Sequence, residues 1–128
     1  MNISSETISH LAEATYVHKR IVLGDDGVVM HAEFAFVTLR LEPVPSGGGV
    51  EFVNAAAEQL LVEHVVGIQA GVQAAAERGV LNGGPVVDIR ATLLEGRYHD
   101  MDSNKATFAI AAREAFWEAM RKAGPRLD

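Results

Sequence analysis

Between Val87 and Leu93 apolar and polar residues alternate, with Val87, Ile89, Ala91 and Leu93 set against Asp88, Arg90 and Thr92. A period of two turns one face of a strand inward. The run ends in the turn-like segment Arg97-Tyr98-His99-Asp100-Met101-Asp102-Ser103. Directly beyond it, Phe108, Ala111, Ala112, Ala115, Phe116 and Ala119 recur at three- and four-residue spacing, the signature of a helix with one apolar stripe. Strand, tight turn and helix in such close succession require the helix to fold back on the sheet. Asp102 or Ser103 is the expected cap of that helix.

The rest of the chain supplies what the sheet needs. Glu6 to Val22 is rich in Ile, Thr, Tyr and Val, and Gly24-Asp25-Asp26-Gly27 carries the turn chemistry of a hairpin. On the returning strand Ala35, Val37, Leu39 and Leu41 alternate with Phe34, Phe36, Thr38 and Arg40, so the second face is greasier than a wetted face usually is. Pro43 to Gly49 reads as a loop, and Glu51 to Asn54 as a short third strand. From Gln59 to Gly79 the spacing of Leu61, Val65, Ile68, Val72 and Ala75 predicts an amphipathic helix ended by Gly79. The order β-β-β-α-β-α predicts an α+β two-layer sandwich: a four-stranded sheet with two helices on one face. At 128 residues and 48% hydrophobic, residues 1–128 have the size of a single domain.

Composition narrows the function. Eleven Lys+Arg against 17 Asp+Glu leave a net charge of −6, which opposes indiscriminate attraction to phosphate backbones, so any RNA contact must be local. With no cysteine, disulfide and thiolate-metal chemistry are out, in keeping with a reducing compartment. No apolar run is long enough to cross a bilayer and no basic, then apolar leader opens the chain, so cytoplasm without membrane contact is the expectation. No Gly-x-x-x-x-Gly-Lys-Ser/Thr loop is present, and Pro45-Ser46-Gly47-Gly48-Gly49 lacks the Lys and helix that would make it a phosphate cradle.

His99, Asp100 and Asp102 have the side-chain types of a metal site or general base, but His-Asp-x-Asp has no i, i+4 register and no obvious further ligand. Ser103 lies near them without a Gly-x-Ser-x-Gly elbow, so no catalytic or metal residue is assigned. His18-Lys19-Arg20 is the other segment with a functional reading, a basic triplet able to meet phosphate. Trp117 reads as a boundary aromatic or a docking residue for a neighbouring domain.

Taken in order, Glu6-Thr7-Ile8, Ala14-Thr15-Tyr16-Val17-His18-Lys19, Leu41-Glu42-Pro43, Gly49-Val50-Glu51-Phe52-Val53-Asn54, Gly83-Gly84-Pro85-Val86-Val87-Asp88, Tyr98-His99-Asp100-Met101-Asp102-Ser103 and the closing helix from Phe108 to Leu127 resemble domain IV of translation elongation factor G. The resemblance implies a fold like ribosomal protein S5 domain two, with a left-handed βαβ crossover. It implies a non-catalytic, ribosome-contacting module whose tip reaches the small-subunit decoding-centre RNA during translocation or ribosome protection. His99, Arg97, Asp100, Asp102 and Ser103, with His18, Lys19 and Arg20 on the neighbouring strand, become the expected RNA- and ribosome-contacting residues. No cofactor is expected in this domain, since GTP and Mg²⁺ belong to the parent factor's G domain; neighbouring domains of that factor are further expected partners. The stop at Arg126-Leu127-Asp128, where the family runs on through Leu-Leu-Glu-Pro, favours a fragment.

Two departures mark a divergent member, nearer to elongation-factor-G-like paralogues or tetracycline-resistance ribosomal-protection proteins. Ile21-Val22-Leu23-Gly24-Asp25-Asp26-Gly27 replaces the family's Gln-Ser-Gly-Gly-x-Gly-Gln loop, and Ala56-Ala57-Glu58-Gln59-Leu60-Leu61 replaces its Gly-Gly-x-Ile-Pro segment. They open an alternative, a stand-alone protein-interaction domain of this fold that has lost RNA binding. A small hydrolase built on His99 and the paired aspartates is the remaining reading.

Overall fold

The computed structural model describes residues 3–45, 48–56 and 58–128. Ser46 and Gly47 of the expected loop, and Ala57 of the altered segment, lie outside the described residues. The elements are β1 (Glu6–Ile8), β2 (Ala12–Leu23), β3 (Val29–Pro43), β4 (Val50–Asn54), α1 (Val62–Ala76), β5 (Ile89–Arg97), α2 (Lys105–Lys122) and β6 (Pro125–Leu127). The main sheet has the order β2-β3-β5-β4, antiparallel except for β4 beside β5. The expected α+β layering holds. β4–α1–β5 is the parallel crossover unit.

One sheet face is sealed by the helices. Ala35, Val37, Leu39 and Leu41 from β3 and Ile89, Ala91 and Leu93 from β5 are fully buried against Ile68 and Val72 of α1 and Phe108, Ala112 and Phe116 of α2. The helices cross at small residues, since a Cβ on Gly67 or Gly71 would collide with the carbonyl oxygens of Lys105 and Ala109. The expected stripe holds from Val65 to Ala75, and this close approach widens it. His64, Gly67 and Gly71 are buried with Ile68, Val72 and Ala75, whereas Leu61 is half-exposed as the N-cap.

The opening segment does not form one strand. It breaks at Ser9, and β1 pairs instead with β6, Glu6 opposite Leu127 and Ile8 opposite Pro125. The closing helix therefore stops at Lys122, not Leu127, because Gly124 at φ 66° turns the chain into β6. The cap of α2 is also shifted: Asn104, not Asp102 or Ser103, accepts from Thr107 N–H at 2.9 Å, while Thr107 Oγ1 accepts from Asn104 N–H at 2.9 Å. β5 begins only after Asp88, which sits at φ 59° and donates its N–H to the Gly48 and Gly49 carbonyls at 3.1 Å. Asp tolerates that left-handed backbone better than most residues.

One irregularity decides which side chains face outward at the end of β5. Leu39 faces Leu93, but the next pair along β3 is Thr38 with Glu95, so Leu94 is an extra residue, a β-bulge. Beyond it the inward set changes parity. Gly96 is buried under Leu60 and Tyr98 packs on the core, which sends Arg97 and His99 to the outer face. Continued alternation from Ile89, Ala91 and Leu93 would have turned both inward.

Candidate nucleic-acid interface

Half of the outer sheet face is a satisfied polar ladder. Arg40 meets Glu13 at 3.2 Å, Thr15 and Thr38 share a 2.7 Å hydrogen bond, and Arg90 meets Glu51 at 3.1 Å and Glu42 at 3.7 Å. Past Thr38 the chemistry becomes aromatic and cationic. His99 lies flat on Phe34, ring centroids 3.7 Å apart and planes within 7°, and the Arg97 guanidinium sits 4.6 Å over Phe36. The Phe residues that make this face greasy are the supports of His99 and Arg97.

The turn is held by short bonds to β3. Ser103 Oγ donates to the Phe34 carbonyl at 2.6 Å and accepts from His99 N–H at 2.9 Å, while Phe34 N–H donates to the Asp102 carbonyl at 2.9 Å. Asp102 and Ser103 N–H groups both close on the His99 carbonyl at 3.0 Å. Ser103 is thus a clasp between turn and strand. The His99 ring keeps 57% of its side-chain surface exposed, with Nδ1 4.0 Å from the Asp102 carboxylate. Arg97 shares its charge with Glu95 at 2.6 Å. Asp100 is exposed, and its carboxylate has no partner among the described residues.

Strand alternation divides the basic triplet. Lys19 lies opposite Phe34, with its side chain on the His99 face. His18 points to the other face, half-buried, with Nε2 2.7 Å from one Glu33 oxygen, and His31 Nε2 is 2.7 Å from the second. These bonds, His18's first, hold the Glu33 carboxyl below its ordinary value. Arg20 pairs in register with Glu33 and is exposed on that same face. The structure brings together His99, Arg97, Asp102, Ser103 and Lys19; it sets His18 and Arg20 behind them.

Among the described residues no group of three His, Asp or Glu side chains is arranged to hold a metal ion. No described helix is long and apolar enough to cross a membrane. Trp117 serves the interior, where its indole N–H donates to the Ala75 and Arg78 carbonyls at 3.2 and 2.9 Å and closes the C-terminal end of α1. Sequence reasoning missed two buried polar residues. Glu6 is fully buried and accepts from Leu81, Asn82 and Gly84 N–H groups at 2.8, 2.9 and 3.2 Å. His64, 1% exposed, lies between Tyr98 and Phe108, each ring centroid 4.7 Å away, and its Nδ1 accepts from Leu61 N–H. A Glu followed by Thr-Ile and a His inside a helical stripe carried no signal that either was buried.

A mixed four-stranded sheet backed by two helices, with an aromatic-cationic end on its open face, defines the chain as a two-layer α+β domain. The family model for elongation factor G, domain IV, matches residues 3–124, and the chain belongs to that family. Elongation factor G from Anaplasma marginale (strain Florida) is 40% identical over 123 residues, 95% of this chain and 17% of that protein. The Hyphomonas neptunium elongation factor G is 41% identical over 95% of the chain and 16% of its own length. A crystal structure from Thermus thermophilus superposes with a TM-score of 0.82 at 34% identity, over 98% of this chain and 18% of that one. The chain therefore spans less than a fifth of these relatives. It is a translation elongation factor domain.

Proposed function

We propose that residues 1–128 act as one non-catalytic domain of a cytoplasmic translational GTPase and contact small-subunit ribosomal RNA at the decoding centre, during translocation or ribosome protection. The observation that carries this reading is the His99 ring stacked on Phe34, half its surface open, beside Lys19 and Arg97. A stacked ring edged by cations is the platform on which unstacked RNA bases settle. Asp102 and Ser103 set the turn and Asp100 edges it, while His18 and Arg20 brace the strand behind. GTP and Mg²⁺ bind elsewhere in the parent factor, whose neighbouring domains position this one.

His99→Ala in the full-length factor tests the reading. The variant folds normally, and its ribosome-dependent step slows about tenfold, the scale of losing one base-stacking contact of ~1–3 kcal/mol. An unchanged rate in reconstituted translation removes the tip assignment. Co-sedimentation with ribosomes should also fall steeply between low and moderate salt, because phosphate contacts release counterions. A salt-insensitive association would favour the protein-interaction reading instead.

A further inference from the structure

β5 pairs with β3 only from Phe36 to Pro43, so the part of β3 before Phe36 has β2 as its sole neighbour in the sheet. Beyond that point the hairpin projects as a two-stranded arm. Its flanks carry apolar side chains that, among the described residues, no helix or strand covers: Ile21 is 55% exposed, Leu23 57%, Val29 56% and Met30 74%. By alternation Ile21 and Leu23 lie on the His99 side of the sheet, next beyond Lys19, and Val29 faces Leu23 across the arm. Met30 is the extra residue where the register shifts from Val22–His31 to Leu23–Val29. At the end of this row the turn presents Asp25 and Asp26, both exposed. Asp26 Oδ1 accepts from Val28 N–H at 3.0 Å, while the Asp25 carboxylate has no partner among the described residues.

An apolar row on an isolated ribbon does nothing for the fold, and contiguous exposed apolar surface marks an interaction site. Its occupant is defined by charge. Two carboxylates at the tip repel a phosphate backbone, and aliphatic side chains offer phosphate and ribose nothing to bond. We propose that this arm docks on a protein: an apolar patch rimmed by Lys or Arg, which receives Ile21, Leu23 and Val29 while its cations meet Asp25 and Asp26. The domain end then carries two adjoining contacts of different kind, RNA at the His99 turn and a basic protein beside it. This rests on the reading that the chain works on the ribosome.

The test places a photoreactive benzophenone amino acid at Leu23 in one sample and at Met101, 93% exposed beside His99, in another. Each is irradiated with purified 70S ribosomes, and the adducts are digested with protease or ribonuclease. Both positions are exposed, so the melting temperature should match that of the unaltered chain. The expected result is a protease-sensitive, ribonuclease-resistant adduct from Leu23. It should fall about tenfold when Asp25→Lys and Asp26→Lys are added, because like charges set face to face across an interface are strongly disfavoured. A Leu23 adduct to ribosomal RNA overturns the proposal, as does an adduct indifferent to the charge reversal. So does a silent Leu23 beside a productive Met101. A protein adduct from Leu23 with none from Met101 keeps the arm and removes the RNA tip. Silence at both positions removes the ribosome reading and the arm contact with it.

Discussion

Glu6 is fully buried, and its carboxyl oxygens accept from three backbone N–H groups of the loop after α1. Its own backbone extends the tie, N–H to the Pro85 carbonyl at 2.8 Å and carbonyl to Val87 N–H at 2.9 Å. Glu6→Ala takes the acceptor from the Leu81 and Asn82 N–H groups, while Gly84 N–H keeps Asn82 Oδ1 at 3.0 Å, so urea denaturation should show a loss of about 2 kcal/mol, the scale of leaving partly buried polar groups unpaired. A loss under ~1 kcal/mol would mean that water replaces the carboxylate without strain. Nothing in the local sequence announces this role, because the partners stand more than 70 residues away and are backbone atoms. The His99 turn stood out by contrast through its residue types and its place before a helix, and the resemblance to elongation factor G domain IV supplied its reading as a contact. What stayed hidden was the direction His99 faces, since that depends on Leu94 being left unpaired against β3.

At the level of elements, α1 and α2 approach through Gly67 and Gly71 so closely that backbone of one helix touches backbone of the other. Gly71→Ala places a methyl against the Ala109 carbonyl, a rigid atom inside a helix, and α2 must move off the sheet to admit it. The expected cost is about 2 kcal/mol in urea denaturation, typical of overpacking. Gly49→Ala, where an added Cβ meets nothing within 4 Å, serves as the control and should change stability by less than about 0.5 kcal/mol. Periodicity found both helices and the strands β3 and β5, each of which buries one face over many residues, while β2 and β4 were read from residue type and the turns that bound them. It did not find β1 and β6, of three residues each, which are too short to show a period. The glycine side of α1 was hidden for a related reason: apolar spacing marks Val65, Ile68, Val72 and Ala75 as core, as they are, whereas the neighbour at the crossing with α2 is backbone and admits only glycine.

For the whole molecule, stability should depend on acidity through His64. Burial drives its imidazole below the ordinary value, with the nearby Glu63 charge opposing more weakly. The unfolded chain then binds the proton more readily than the folded one, so stability is full above about pH 6.5 and declines as pH falls towards the folded value. Glu33 adds a second loss at lower pH: its carboxyl is depressed in the folded state, so its contribution is present above the unfolded carboxylate value and disappears on further acidification. Urea midpoints at pH 7.5 and 5.5 should therefore differ, and His64→Phe, which keeps a ring between Tyr98 and Phe108, should narrow the gap. An equal gap in that variant would place the proton uptake elsewhere. The paired β1 and β6 bear on a different property of the molecule. They join the two ends of the described chain in one antiparallel stub, whereas the arm and the His99 turn lie at the far ends of β2 and β5. From Ala12 to Leu23 the 12 residues of β2 reach about 40 Å. Anything that turns the stub turns a lever of that length, and a rotation of about 10° there sweeps the far end through about 7 Å, given that strand rise.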